Sequence, residues 1–395
     1  MSVSDKMRVF AKKSSWIRQM FEEGARMKAE HGAENVYDFS LGNPDAPPPK
    51  AYSRVIKEII EDTSPGVHSY MPNSGYPWVR EAIAKRMSVE QEITVTKDDM
   101  LMSCGAAGGL NIVMKSILNP GDEVIILAPY FVEYGFYIDN HGGVAKIVAT
   151  DDEFNLDLNA IEAAINEKTR AIIINSPNNP CGQIYSAKAL GELGELLKRS
   201  EEKFDRVIFM LADEPYRKIT FNNHKVPSIF KAYTNSIVIS SYSKDLSLPG
   251  ERIGYLAVHP SINDKPQLLE ALTLANRILG FVNAPALMQR VVAELQNESV
   301  DIGLYAKRKE LICNILTETG IEFNEPKGAF YVFPKSPIAD DVKFVAMLQK
   351  EKILAVPGVG FGSPGYIRLA FCVPDEVIIN SLAGFKRTMA NVSKL

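Results

Sequence analysis

SYSKDLSLPGERIG (residues 241–254) follows directly on SIVISS (236–241), a run of apolar and small residues without a charge. Runs of this kind are typical of strands buried on both faces, as in parallel sheets packed between helices. Lys244 is therefore expected just past the carboxyl end of a buried strand, where open α/β sheets bind their ligands. An amine held there between apolar walls loses its proton more readily and becomes nucleophilic toward an aldehyde. The same segment is compatible with a surface lysine ahead of a turn, so the rest of the chain decides between the two.

Outward from this segment the alternation continues. EVIILA (123–128), AIIIN (171–175) and VIFMLAD (207–213) are further apolar runs. DLNAIEAAINEK and SAKALGELGELLKRS carry their apolar residues at helical spacing. RIGYLAV (252–258) comes only about ten residues after SIVISS, too few for a parallel crossover of roughly a dozen. It is therefore expected to run antiparallel. The expected fold is α/β: a mostly parallel sheet with one antiparallel strand, between helices. PDAPPP (44–49) reads as an extended hinge after a helical N-terminal segment. From about residue 284 the pattern changes to a long helical region ending near Gly320, with Lys307, Arg308 and Lys309 on it. FYVF (330–333), a helix, KILAV (352–356), YIRLAF (366–371) and a last helix follow. This predicts a large domain over 46–284 and a smaller α+β domain from 1–45 together with 285–395.

The bulk properties exclude several classes. At 395 residues the chain fits a two-domain subunit. It is 46% hydrophobic and 23% charged with a net charge of −4, which leaves no electrostatic footprint for nucleic acid or an acidic membrane. No segment approaches the ~20 apolar residues that span a bilayer. MSVSDKMRVFAKKSSW, at the start, lacks the apolar stretch of a signal peptide. Cys104, Cys181, Cys313 and Cys372 are far apart without a CxxC pair, and the five histidines are scattered. The expectation is a reduced, cytoplasmic, metal-free enzyme.

Three other segments carry chemistry. LADEPY (211–216) puts Asp213 at the end of a buried strand, where an acid is costly unless it meets a cation. The protonated ring nitrogen of a pyridine cofactor is such a cation. NSPNNPCG (175–182) ends another strand in a rigid turn that offers amide donors, although it also reads as a turn and nothing more. SCGAAGGL (103–110) leads into a helix that starts on small residues, so a phosphate can approach its first N–H groups. Each signal is weak alone; four in this order on successive strand ends are not.

With these segments the chain resembles the class I/II aminotransferases of PLP fold type I, the aspartate-aminotransferase-like superfamily. The resemblance runs from about Ser40 to Phe371 and matches at Ser241, Ser243, Lys244, Ser247, Leu248, Gly250, Arg252, Ile253 and Gly254. It implies pyridoxal 5'-phosphate as cofactor, carried by Lys244 as an imine, with Lys244 then moving the substrate proton. It implies that Asp213 keeps the pyridine nitrogen protonated, while Asn179 and Tyr216 hydrogen-bond the ring's 3-oxygen. Gly105, Ala106 and Ala107, with Ser241, Ser243 and Arg252, would hold the phosphate. Phe131 in APYFVEY would stack on the ring and Pro215 would cover its other face.

For the substrate, the resemblance assigns Arg368 in YIRLAF to the α-carboxylate as a bidentate fork, with Gly42 and Asn179 beside it. A structural salt bridge is the other reading of Arg368. Tyr70 in HSYMPNSGYP would reach the phosphate of a neighbouring subunit, which implies a homodimer with shared sites. Two departures stand out: Cys181 occupies a position usually held by Thr, and Cys104 precedes the phosphate glycine. Both are expected to be small buried cysteines. Ala106 and Ala107 offer the phosphate no hydroxyl. The implied reaction is amino transfer between an L-amino acid and a 2-oxo acid, but the same residues would serve a C–S β-lyase on the same fold. FEEGARMKAE, EPKGAFYVF and the region around Tyr134 are expected as pocket walls, without an identifiable receptor for the side chain.

Overall fold

The computed structural model describes residues 2–13 and 16–394; Ser14 and Ser15 of the N-terminal segment lie outside it. The short strand β1 (Tyr37–Asp38) precedes β2 (Met100–Ser103), β3 (Glu123–Ala128), β4 (Val144–Ala149) and β5 (Thr169–Asn175). Then come β6 (Phe209–Asp213), β7 (Ser236–Ser241) and β8 (Gly254–Val258). Strands β2 to β8 form one sheet in the order β2-β8-β7-β6-β5-β3-β4. All neighbours are parallel except at β8, which is antiparallel to both β7 and β2. The one antiparallel strand is thus where the short connection after SIVISS requires it.

Successive residues of these strands face opposite layers, as the period of two demands. Ile172, Ile174, Met210 and Val238 join one core with Leu193, Leu197, Ile83 and Met87 from the covering helices. Ala171, Ile173, Leu211 and Ile237 join the other with Val113, Met114 and Leu272. Strand β4 is the exception. It is an edge strand with exposed Val144 and Ile147. Having no continuous buried run, it gave no signal in the sequence.

The later part of the chain builds a separate core around β9 (Tyr331–Val332), β11 (Val356–Pro357) and β12 (Ile367–Ala370), antiparallel in the order β11-β12-β9. KILAV divides: β10 (Ile353–Leu354) pairs in parallel with β1, and β11 pairs with β12. Met20, Phe39 and Ala46 pack into this same core with Phe344, Phe361 and Phe385. Arg308 donates to both carboxylate oxygens of Asp45 (2.5 and 3.0 Å), fastening the Pro-rich segment to a C-terminal helix. The helical region before Gly320 consists of two helices, Ala286–Glu294 and Ile302–Thr319. They are separated where Asp301 accepts the Gly303 N–H at 2.8 Å and caps the second. The first packs against the large sheet's core through Met288, Val291 and Val292.

Candidate active site

A cavity of about 360 Å³ opens at the carboxyl ends of the central parallel strands. Lys244 lies in the turn after β7 and enters it. The turn is tied down locally by the Ser247 N–H on the Lys244 carbonyl (3.3 Å) and the Leu248 N–H on Tyr242 (3.3 Å). The Ser247 hydroxyl also donates to the Ala46 carbonyl at 2.5 Å, which anchors the turn to the Pro-rich segment. Lys244 Nζ donates to the Gly42 carbonyl at 2.8 Å and lies 5.5 and 5.9 Å from the rings of Phe330 and Tyr216. No carboxylate pairs with it among the described residues. Burial, reinforced by Arg368 and Arg252, brings its pKa down to about 8.

Asp213 ends β6 and is buried. Its Oδ2 accepts a 2.5 Å hydrogen bond from the Tyr134 hydroxyl, and its Oδ1 has no hydrogen-bond partner. Burial raises its pKa to about 6, and the Tyr134 bond opposes that shift. A buried carboxylate oxygen left unmatched at a cavity wall is expensive unless a donor or cation completes it.

Arg368 on β12 is fully buried. Its Nη1 donates to Asn179 Oδ1 (3.1 Å) and its Nη2 to the Ser40 carbonyl (2.5 Å), while Nε has no partner. Tyr331 and Phe361 flank the guanidinium, at 4.8 and 4.9 Å. No acid pairs with Arg368 among the described residues, so the salt-bridge reading does not hold. Burial lowers its pKa. Asn179 is held in turn by its own N–H on Asn175 Oδ1 at 2.7 Å. The Tyr216 and Tyr331 hydroxyls share a 2.9 Å hydrogen bond. A Cβ at Gly42 would overlap the Tyr331 hydroxyl, so only glycine lets the backbone carbonyl sit so close.

At the other end of the cavity, the pairing of Ser103 and Ser241 with Gly254 lines up the ends of β2, β8 and β7. This brings Arg252 onto Gly105, where a Cβ would meet Nη2 at 2.6 Å. Arg252 adopts a left-handed φ of 51° and donates from Nη1 to the Pro249 carbonyl at 2.8 Å. The helix Gly105–Ile117 begins here without a side-chain cap, so its first N–H groups remain free for a ligand. Ala106, Ala107, Ser241, Ser243 and Arg252 all line the cavity; Gly105 does not, and serves by letting Arg252 approach.

Residues 33–383 match the family model for aminotransferase class I and II. The chain belongs to this family. An amino transferase from Eubacterium rectale superposes with a TM-score of 0.96 at 38% identity, covering 99% of each chain. A Methanocaldococcus jannaschii protein named a probable aspartate aminotransferase is 32% identical over 390 residues, 95% of this chain and 96% of its own. Aromatic-amino-acid aminotransferase 2 of Thermococcus litoralis is 27% identical over 98% of each chain. The protein is accordingly an aminotransferase, an enzyme that moves an amino group between an amino acid and a 2-oxo acid.

Phe131, Pro215 and Gly42 of this aminotransferase also line the cavity, and Phe131 meets Tyr134 edge-on at 5.6 Å. Tyr70 does not reach the cavity of its own chain; it is 89% exposed. Cys181 is buried as expected, whereas Cys104 is only partly so. The roles of Tyr134 and Tyr331 as hydrogen-bond partners of Asp213 and Tyr216 had no local signal. Neither spacing nor residue type joins Tyr134 to Asp213, 79 positions away. Glu133, which also lines the cavity, was not singled out either.

Proposed function

We propose that the aminotransferase works with pyridoxal 5'-phosphate held in the cavity of Lys244. The observation that carries this reading is a set of three buried ionisable groups, Lys244, Asp213 and Arg368, that no countercharge among the described residues matches. The residues fit the group. The unpartnered Asp213 Oδ1 suits a protonated ring nitrogen. The uncapped helix start with Arg252, Ser241 and Ser243 suits a phosphate. Asn179 and Tyr216 offer donors for the ring's 3-oxygen, Phe131 a stacking face and Pro215 the opposite wall. When bound, pyridoxal phosphate supplies an electron-withdrawing ring that takes up the electrons of the breaking Cα–H bond.

The chain's own groups do the rest. Arg368 binds the substrate α-carboxylate, with Asn179 fixing the guanidinium and the Gly42 backbone closing over it. Lys244 would hold the cofactor and, as a free amine, would take the proton from the substrate Cα on Nζ. A pKa near 8 leaves about a tenth of the amine neutral at pH 7, far more than an ordinary lysine has. Asp213, held in place by Tyr134, keeps the charge opposite the ring nitrogen.

The reading extends to a homodimer in which exposed Tyr70 reaches the phosphate site of a second copy. It also takes the chain as two domains, 46–284 and 1–45 with 285–395. The packing of Ala286–Glu294 supports counting that helix with the large sheet. The reading also places the protein in the cytoplasm; among the described residues no helix is long and apolar enough to cross a membrane. The deciding experiment loads the protein with pyridoxal phosphate, reduces it with borohydride and maps the labelled peptide. Label on Lys244 is expected. Label on another lysine, or none, overturns the reading. A donor that leaves pyridoxamine phosphate behind marks transfer, whereas ammonia release with the cofactor unchanged would mark a lyase.

A further inference from the structure

The cavity has three cationic side chains, Lys244, Arg252 and Arg368, and the proposed reading engages each of them: cofactor, phosphate and α-carboxylate. Among the described residues no fourth cation lines it. What remains for a substrate side chain includes an acid. Glu133 lines the cavity together with Leu41, Phe131 and Tyr137. Its side chain does not cap the short helix Tyr134–Asn140 that follows. It has no hydrogen bond or ion pair with a described residue, and its pKa is raised by burial alone. Its charge is felt by Tyr137, whose hydroxyl is pushed up in pKa by burial first and by Glu133 next.

A carboxylate that is partly desolvated and has no partner attracts a cation and repels an anion. Specificity follows from the difference between the two. A dicarboxylic substrate anchored by Arg368 would need a second cation for its distal group and would instead meet Glu133. An ammonium or guanidinium at the end of the side chain would complete the unpaired acid.

We propose that Glu133 is a specificity-determining residue that turns this aminotransferase toward amino acids with cationic side chains and away from dicarboxylic ones. The proposal rests on the reading that Arg368 takes the α-carboxylate. It also separates this chain from the relative named for aspartate.

The test measures binding and half-reaction rates on the pyridoxal-phosphate-loaded enzyme. Three unreactive carboxylates of matched length serve as probes in calorimetry: glutarate, pentanoate and 5-(trimethylammonio)pentanoate. The cationic probe is expected to bind wild type about ten-fold tighter than glutarate, and Glu133→Gln to shrink that ratio about ten-fold. Single-turnover rates with ornithine and lysine are expected to exceed those with aspartate and glutamate, and Glu133→Gln to level the two. Glutarate binding tightest to wild type, including through a cation supplied by a second copy, overturns the proposal, as does an unchanged ratio in Glu133→Gln. Failure of the underlying reading has a different signature: Arg368→Leu would then leave pentanoate affinity unaltered, whichever distal charge is preferred.

Discussion

Asp213 and Glu214 stand side by side at the end of β6, both buried, and they face different surroundings. Asp213 looks into the cavity with one oxygen satisfied by Tyr134 and the other by nothing. Glu214 looks to the opposite side, where Arg217 donates to both of its oxygens at 2.9 Å and Gln91 adds a third bond. The same contrast recurs at the next strand end. Lys244 has no counter-ion, while its neighbour Asp245 lies within 3.9 Å of both Arg86 and Lys218. Glu90 links Arg86 and Arg217 and closes the network behind the site. Burial is similar on the two sides, so burial does not distinguish them. Pairing does: charges matched within the chain hold the strand ends in place, and charges left unmatched wait for a ligand.

The largest effect should come from Lys244→Ala. Turnover is expected to disappear while the apoprotein melts close to wild type, since the buried amine removed has no counter-ion and loses only its bond to the Gly42 carbonyl. In wild-type apoprotein the capture of pyridoxal phosphate by Lys244 should rise with pH as the ammonium loses its proton, with a midpoint near 8 rather than the ordinary 10.5. A stopped-flow pH series checks this, and a midpoint near 10.5 would mean that burial does not act on the amine.

Asp213→Ala and Glu214→Ala set the comparison against itself. The first is expected to lower kcat about 10³-fold, as when a preorganised charge is withdrawn from a buried site, with little loss of stability. The second should cost about 2 kcal/mol of unfolding free energy by removing two bonds of Arg217, which keeps Glu90 and its carbonyl partners, with a much smaller change in kcat. Urea titrations and steady-state kinetics on both variants read the two quantities. If the losses are exchanged, the division between the two sides is wrong.

Arg368→Leu should reduce kcat/KM about 100-fold, through the α-carboxylate, without destabilising the protein. A substrate lacking that carboxylate should be indifferent to the change; equal loss for both would point to a role in folding. The smallest effect is expected from Tyr70→Phe, about ten-fold in cofactor affinity, the loss of one hydroxyl donor to a charged group. Mixing Tyr70→Ala with Lys244→Ala subunits should restore activity in the hybrid, and no gain despite proven subunit exchange would place Tyr70 outside the site.

The strands with both faces buried were legible from the chain alone. EVIILA and SIVISS coincide with β3 and β7 to the residue, and the short link to RIGYLAV set the direction of β8. VAKIVA was not legible, because an edge strand with one open face carries no continuous apolar run. The helix Ala286–Glu294 was merged with its successor, since helical spacing extends across both and only the Asp301 cap parts them. In the site, Lys244, Asp213 and Arg368 were conspicuous as charged groups at a strand end or on an apolar strand, whereas Asn179 and Arg252 came only with the family resemblance. Tyr134 and Tyr331 lie in segments expected as pocket walls, but their partners Asp213 and Tyr216 are 79 and 115 positions away, and nothing local marks Glu133.

The sequence by itself therefore determined the inner strands of the sheet, the direction of its odd strand and the residue types at its carboxyl edge. All of these depend on local alternation, chain length and turn chemistry, which act over a few residues. Tertiary structure alone decided which buried charges are matched. Asp213 and Glu214 are equivalent acids in LADEPY, and only the placement of Arg217 against one and Tyr134 against the other tells them apart. Counter-ions come from distant parts of the chain, and the cost of an unpaired charge is fixed by what the fold brings within a few ångströms of it.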